Sequence, residues 1–120
     1  MERVYWAEQA GQRYLVVRYN GADGRQMLEI LDEALRVMLD ETGTFPLLAD
    51  VTDATMTTAW LSAIKTASRD VMGPRVTRCA VLGVTGVKSA MLRGFNTVGG
   101  GLRALPFPDE DRALRYLLAW

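Results

Sequence analysis

Histidine is missing from this 120-residue sequence, and its absence excludes a large part of known enzyme chemistry. Serine or cysteine nucleophiles activated by histidine, histidine zinc sites and histidine general bases all require that side chain. Cysteine occurs once, so no internal disulfide can form, and the apolar run around Cys79 predicts a buried, inert thiol. We therefore expect a protein that is not an enzyme and that has neither a metal nor a cofactor.

Net charge and long apolar runs are also missing. Fourteen Lys and Arg residues balance fourteen Asp and Glu residues, so no overall field attracts nucleic acid or an anionic membrane surface. No apolar run approaches the roughly 20 residues of a membrane span, and the N-terminus does not resemble a signal peptide. These absences predict a cytoplasmic protein with no nucleic-acid binding and no membrane insertion. The length fits one domain over residues 1–120.

The first part of the chain has the pattern of a hairpin followed by a helix. Apolar residues at 4–6 and 14–19, separated by a polar segment with a glycine, predict two antiparallel strands. Asp23 and Gln26 have the spacing of a capping box, which predicts a helix start, and Gly43 is the predicted helix end. The packing face predicted for this helix consists of Met27, Leu31, Ala34, Leu35 and Met38.

Three strand and helix units follow. An apolar strand at 45–51 precedes a helix at 58–72, which Gly73 and Pro74 are predicted to stop. A strand at 76–82 then precedes a helix that begins after Gly86 and ends at glycines 99–101. A short strand at 102–105 leads to a helix start positioned by residues 106–108 and a packing stripe of Leu114, Leu117 and Leu118. This order predicts a single α/β domain with a five-stranded mixed sheet, antiparallel in its first strand and otherwise mainly parallel, and four helices.

The stretch GVTGVKS at residues 83–89 lies where a nucleotide-binding loop would lie. A P-loop reads G-x-x-x-x-G-K-[ST], but here the glycines are two residues too close and a valine separates Gly86 from Lys88, so we exclude nucleotide hydrolysis. The simplest interpretation is a tight turn in which Gly83 allows close backbone approach, Thr85 caps the helix and Lys88 points into water. Alternatively, the amides at this helix start bind a phosphate, a carboxylate or an acidic side chain together with Lys88 and Ser89.

A second candidate site is the acidic and hydroxyl-rich loop after the third strand. Its residues are Asp50, Thr52, Asp53, Thr55, Thr57 and Thr58. Carboxyl ends of parallel strands are where open α/β sheets place ligands. Two carboxylates three residues apart are too few for a metal site, so we favour capping and turn formation for Asp50 and Asp53. For Thr57 and Thr58 the two interpretations are a helix cap or a phosphorylation switch at the helix start.

Two further stretches carry a family resemblance: RCAVLGVTGVK at 78–88, and LPFPDEDRALRYL at 105–117. Together with the order of elements, they resemble the STAS and sporulation anti-sigma-factor antagonist-like superfamily, in its branch related in fold to CRAL-TRIO lipid-transfer domains. In the anti-sigma antagonists, a partner kinase phosphorylates the serine of an Asp-Ser-x-Gly motif after the third strand. The corresponding residues here are Met56-Thr57-Thr58-Ala59, which keep hydroxyls but lack the Asp and the Gly.

These observations predict a non-enzymatic bacterial regulatory domain that binds a protein partner through the loop after the third strand and the start of the second helix. A kinase or signalling protein is the expected partner, and a homodimer is also expected if an apolar helix or hairpin face is exposed. Aromatic residues are either partner anchors or core residues: Trp6, Tyr19, Trp60, Phe95 and Trp120. The alternative is a carrier or sensor of a small apolar or anionic ligand, which requires an apolar cavity opening toward the loop at 83–89.

Overall fold

A five-stranded sheet organises the computed structural model, which describes residues 2–98 and 102–118. The strands are β1 (Val4–Gln9), β2 (Gln12–Arg18), β3 (Phe45–Asp50), β4 (Val76–Leu82) and β5 (Ala104–Phe107), and they lie side by side in chain order. β1 and β2 are antiparallel, whereas the other neighbouring pairs are parallel. The predicted mixed sheet is therefore confirmed.

Four main helices connect or follow the strands in the described part of the chain. They are α1 (Gly24–Asp40), α2 (Thr58–Ala67), α4 (Val87–Val98) and α5 (Glu110–Leu118). Between α2 and β4 the chain forms a π-helical turn (Ser68–Met72) and the short α3 (Gly73–Arg75). Gly73 and Pro74 were predicted to stop the helix, and this prediction was wrong, because both residues lie in α3. A proline is tolerated in the first turn of a helix, where the N–H that it lacks would have no partner within the helix. The predicted helix end at glycines 99–101 lies outside the described residues.

Local sequence signals determine how β1, β2 and α1 begin and join. Ala10 and Gly11 both have positive φ, at 54° and 76°, which is the geometry of a two-residue hairpin turn. At α1 the predicted capping box is present: the backbone N–H of Gln26 donates to Asp23 Oδ1 at 2.8 Å, and that of Asp23 donates to Gln26 Oε1 at 3.0 Å. Both the hairpin and the helix start are confirmed.

The end of α1 differs from the prediction. Gly43 does not cap the helix; α1 ends at Asp40, and Glu41 is the C-cap with an extended backbone. The N–H of Glu41 donates to the Met38 carbonyl at 3.2 Å, and its carboxylate pairs with Arg13 on β2. The extended Glu41 cap thus provides a hydrogen bond to the Met38 carbonyl without a left-handed glycine, and the ion pair lies beside it.

β5 lies two residues later than predicted. Residues 102–105 were expected to form it, but the strand is Ala104–Phe107, with Ala104 opposite Cys79. The Asn96 side chain fixes its start, because Nδ2 donates to the Ala104 carbonyl at 2.7 Å and Oδ1 accepts from the Ala104 N–H at 2.9 Å. Pro106 is tolerated within the strand because β5 is an edge strand.

The sheet separates two apolar layers. α1, α2 and α4 cover one face, and α5 covers the other. The layer under α5 contains Tyr14, Val16, Leu48, Ala80, Leu82, Ala113, Leu114, Leu117 and Leu118, which confirms the predicted leucine stripe. Cys79 lies in the larger layer, where burial raises the pKa of its thiol to about 12.

Because β2, β3 and β4 are parallel neighbours, their carboxyl ends meet at one edge of the sheet. At this edge each of the three strands leads into a helix of the larger layer.

α1 also has an apolar surface that nothing in the described structure covers. Its buried face is Met27, Ile30, Leu31, Ala34 and Met38, whereas the predicted packing residue Leu35 is only half-buried. Leu28 and Leu39 are 38% and 55% exposed. The predicted homodimer stays a prediction.

Candidate functional site

The two loops predicted as separate sites lie against each other at the carboxyl edge of the sheet. Gly83 has a φ of +82°, and a Cβ on it would lie 2.5 Å from Thr52 N and 2.6 Å from Thr52 Cα. The loop between β2 and α1 joins them, because Gly21 N donates to Thr52 O at 3.0 Å and Thr55 N donates to Ala22 O at 2.9 Å. Three successive loops are thus packed into one unit.

Asp50 holds this unit together from within. Its Oδ2 accepts from Arg18 Nη1 at 3.2 Å and Asn20 Nδ2 at 2.8 Å, and its Oδ1 accepts from Thr52 N at 3.0 Å and Thr52 Oγ1 at 2.6 Å. Burial raises the pKa of the Asp50 carboxyl, but the hydrogen bonds from Thr52 and Asn20 and the charge of Arg18 outweigh burial, so the pKa is lowered. The carboxylate is fully engaged in holding the loops together.

Arg18 extends the Asp50 network to the other side of the sheet. Its Nη2 donates to Glu110 Oε1 at 2.9 Å, and its Nε donates to the Tyr5 hydroxyl at 3.1 Å. Side chains from β1, β2, β3 and the first turn of α5 therefore meet at one guanidinium. The network fixes the start of α5 relative to the edge where the three loops lie.

The two candidate threonines have different environments. Thr57 is the N-cap of α2: its Oγ1 accepts from the backbone N–H of Trp60 at 3.1 Å. Thr58 is the first residue of α2 and is exposed. Asp53 is also exposed, and its φ of +56° is a turn conformation that aspartate adopts more readily than most residues.

Lys88 does not point into water, and that expectation was wrong. Its Nζ donates to the carbonyl oxygen of Val51 at 2.9 Å, and the residue is half-buried. The same carbonyl accepts from the Ala54 N–H at 3.1 Å. The start of α4 lies beside the end of β3, so a side chain from its first turn reaches back across the loop after β3. In that turn, the backbone N–H groups of Lys88 and Ser89 donate to the carbonyls of Thr85 and Gly86 at 3.1 and 3.0 Å.

An apolar cavity of about 80 Å³ lies beneath these loops, between the sheet and α1, α2 and α4. Four methionines line it: Met38, Met56, Met72 and Met91. Sequence reasoning named such a cavity only as the requirement of the carrier alternative and did not identify its lining, because each methionine fitted a helix packing face or a loop and nothing local showed that they converge. The available signal was the abundance of methionine, with six in the chain.

Three of the lining residues, Tyr19, Trp60 and Lys88, carry polar groups, although the surface of the cavity itself is almost entirely apolar. Trp60 is 5% exposed, so it is not a surface anchor, and its ring packs edge-on against Tyr19 at a centroid distance of 5.3 Å. Burial raises the pKa of Tyr19, and the nearby indole N–H opposes that rise only in part. The contact falls short of hydrogen-bond geometry, so Trp60 Nε1 has no hydrogen-bond partner within the described ranges.

The other aromatic candidates are distributed between core and surface. Trp6 is half-buried, packs against Phe45 and is covered by Arg13, whose guanidinium carbon lies 3.7 Å from the ring centroid. Tyr19 is in the core. Trp120 and the side chain of Phe95 lie outside the described part of the structure. The candidate side chains that remain exposed are polar: Asp53, Thr58 and Thr52, although the Thr52 hydroxyl donates to Asp50.

Neither a metal cluster nor a membrane-spanning segment is found in residues 2–98 and 102–118. No three His, Cys, Asp or Glu side chains among them lie together as metal ligands would. Their helices are too short or too polar to cross a bilayer.

No protein-family model matches the sequence, and no curated protein matches it either. Among solved structures, an uncharacterised protein of the DUF3478 family from Shewanella loihica PV-4, described as having a SpoIIAA-like fold, is similar with a TM-score of 0.64. The similarity covers 95% of this chain and 91% of that chain at 21% identity. This chain has the SpoIIAA-like, or STAS-like, fold. The predicted fold is thereby confirmed, while an identity this low assigns no activity or partner.

The correspondence between Met56-Thr57-Thr58-Ala59, at the β3 to α2 junction, and the phosphorylated serine motif of the anti-sigma antagonists stays a prediction. In this STAS-like chain the Thr57 hydroxyl is occupied as a helix cap, and Thr58 is the exposed hydroxyl of the pair.

Proposed function

We propose that this STAS-like domain is a non-enzymatic binding protein that holds a small apolar ligand in the cavity beneath the three loops. The observation that carries the proposal is the cavity itself, whose volume is about 80 Å³ and whose wall is almost entirely apolar. A void of about 15 Å³ is enough for one water molecule, but a water also needs polar partners that this wall does not supply. An apolar molecule suits such a space better than water does.

The composition of the wall supports a binding role. Methionine is unbranched and flexible, so Met38, Met56, Met72 and Met91 can adapt to ligands of different shape. The lining includes Val51 and Val84, which belong to the loops after β3 and β4, so the cavity lies next to the edge where these loops meet. A carrier or sensor requires an apolar cavity at this place.

Several features support binding without catalysis. The sequence has no histidine, the buried thiol of Cys79 has its pKa raised to about 12, and Lys88 is the charged residue of the lining. A catalytic site needs a nucleophile or base with a positioned partner, and the lining offers no such pair. A non-enzymatic carrier or sensor fits these residues.

Binding of xenon, followed by chemical-shift changes in nuclear magnetic resonance spectra of the protein, tests the proposal, because xenon is small enough for a cavity of about 80 Å³. We expect saturable binding to the unmodified protein. Ala49→Leu fills the cavity from β3 and should abolish binding, whereas Leu39→Ala, on the exposed side of α1, should leave it unchanged. Absence of any binding to the unmodified protein, or equal binding to the Ala49→Leu variant, would exclude the cavity as a ligand site.

The exposed loop residues favour protein partner binding as a second function. Asp53 and Thr58 are exposed in the loop after β3 and at the start of α2, whereas Asp50, Thr52 and Thr57 are engaged in internal hydrogen bonds. A phosphate on Thr58 would be favoured by the positive end of the α2 dipole and would change the charge of this surface. Mass spectrometry of protein from its native host tests the switch, which requires a phosphate on Thr58. An unmodified Thr58 would count against it.

A further inference from the structure

We propose that the outer face of α1 is a homodimer interface, which packs antiparallel against α1 of a second copy of the chain. Two neighbouring rows of side chains on this helix carry the proposal. One row is apolar and exposed, and the other has a charge pattern that is complementary to itself when the helix is reversed. The cavity is lined by Leu31, Ala34 and Met38 on the inner side of α1, so this interface does not depend on the proposed ligand.

The apolar row consists of Leu28, Leu35 and Leu39. Their spacings of seven and four residues place them on one side of the helix. Leu28 and Leu39 are 38% and 55% exposed, and they are the two large apolar side chains that remain exposed among those the structure describes. Leu35 lies between them and is half-buried. Apolar side chains that gather on one exposed helix face favour packing against another helix.

The charged row lies beside the apolar row, because Leu28 and Leu39 each follow one of its arginines by three residues. Its members are all exposed and are spaced four, seven and four residues apart: Arg25, Glu29, Arg36 and Asp40. Arg25 Nε lies 3.9 Å from Glu29 Oε1 in the same helix, but these side chains are 91% and 66% exposed, so both stay accessible to a partner. The charges therefore alternate along the row, beginning with a positive one.

The alternation identifies a second copy as the occupant of this face. In an antiparallel pair of identical helices, the same flank of each helix faces the other, and positions equidistant from the two-fold axis meet. With the axis at the middle of the row, Arg25 faces Asp40 of the second copy, and Glu29 faces Arg36 of the second copy. Symmetry repeats each contact, so every contact of the row joins opposite charges. A parallel pair would place the two charged rows on opposite flanks, where they would not meet.

The two rows have different roles in such a dimer. Burial of the leucines supplies affinity, whereas exposed ion pairs contribute little energy and instead select the orientation of the partner. Asp32 lies near the two-fold axis and approaches the same residue of the second copy, and Arg36, one turn later in the same helix, offsets that repulsion in part. One helix face buries a small area, so we expect a weak and reversible dimer.

Sedimentation equilibrium over a range of protein concentrations tests the proposal. We expect the unmodified protein to dimerise and Leu39→Ala to weaken the dimer several-fold. Arg36→Glu alone, or Glu29→Arg alone, should weaken it by about tenfold or more, because each creates like charges at two symmetric contacts. Arg103→Glu, at an exposed position before β5, is the matched control and should leave the dissociation constant unchanged. Circular dichroism verifies that each variant is folded.

A mixture of the Arg36→Glu and Glu29→Arg variants tests the antiparallel arrangement itself. In the mixed dimer, positions 29 and 36 are both negative in one copy and both positive in the other, so their contacts are attractive again. We expect the mixture to associate about as tightly as the unmodified protein, although each variant alone does not. Failure of the mixture to associate would overturn the antiparallel register. An unmodified protein that stays monomeric up to about 1 mM would overturn the homodimer and leave this face to a different protein.

Discussion

Gly83 and Thr52 are in direct backbone contact, although 30 positions of sequence separate their loops: a Cβ on Gly83 would lie 2.5 Å from Thr52 N. The contact joins the loop after β4 to the loop after β3 directly above the cavity. It explains why the glycine is needed, since φ is +82° and the neighbouring atoms are backbone that cannot move aside.

Gly83→Ala should therefore destabilise the protein by at least about 2 kcal/mol, combining an unfavourable backbone conformation with a backbone clash. Gly86→Ala is the matched control, because Gly86 also has a positive φ but open space around its Cβ position. Urea denaturation of the two variants measures the difference. Equal losses of stability would show that the close approach to Thr52 contributes nothing.

Asp50→Asn should destabilise the protein by about 2 kcal/mol near neutral pH, because four hydrogen bonds to a charged acceptor are weakened or broken. Asp53→Asn, at an exposed position, should have little effect. Urea denaturation at neutral pH measures both variants. A stable Asp50→Asn protein would mean that the network does not depend on the charge.

The lowered pKa of Asp50 also predicts an acid-sensitive stability. A carboxyl whose folded pKa is below its unfolded value of about 3.9 stabilises the fold above that pH, and the contribution is lost as the pH falls through the folded pKa. The unmodified protein should lose more stability than Asp50→Asn between about pH 5 and pH 2. Parallel losses in urea titrations over this range would assign the acid sensitivity to other groups.

Thr57→Ala should cost about 1 kcal/mol through loss of the α2 cap, since the Trp60 N–H then lacks its side-chain acceptor. Thr57→Ser should retain most of the stability. Thr58→Ala should be close to neutral, because Thr58 is exposed and does not cap the helix. Thermal unfolding followed by circular dichroism compares the three variants. A larger loss for Thr58→Ala than for Thr57→Ala would reverse the assignment of the cap.

The Cys79 thiol should react very slowly with a thiol reagent in the folded protein. Burial excludes the reagent and raises the pKa to about 12, so the nucleophilic thiolate is scarce near pH 8. Absorbance after addition of Ellman's reagent measures the rate, and concentrated urea should make the reaction fast and complete. Fast reaction of the folded protein would show that the larger apolar layer opens readily.

Local signals were sufficient for most of the fold. The Asp23 and Gln26 capping box, the Ala10-Gly11 turn and the apolar run of β4 all act within a few residues, so the sequence shows them directly. The mixed sheet followed from the order of these elements, because parallel strands require helical crossovers. An error arose where a group outside the local pattern decides the outcome, as at the start of β5, where the Asn96 side chain bonds both backbone groups of Ala104.

The site was less predictable than the fold for the same reason. Both candidate loops were identified, but the sequence did not show that they pack together, which depends on the close approach of Gly83 to Thr52. The orientation of the Lys88 side chain depends on its hydrogen bond to the carbonyl of Val51, 37 residues away. The cavity is a property of four helix and loop methionines that only the folded chain brings together. Trp60 was identified as an aromatic of interest, but pattern alone could not distinguish a surface anchor from a buried donor.

The π-helical turn from Ser68 to Met72 makes one wall of the cavity sensitive to chain length. Gly73 N–H bonds to the Ser68 carbonyl, five residues back, so this turn holds one residue more than an α-helical turn would. Loss of a single codon there would let a regular helix form and rotate the preceding residues by about 100° relative to β4. The number of residues in this short turn thus governs whether the pocket keeps its shape.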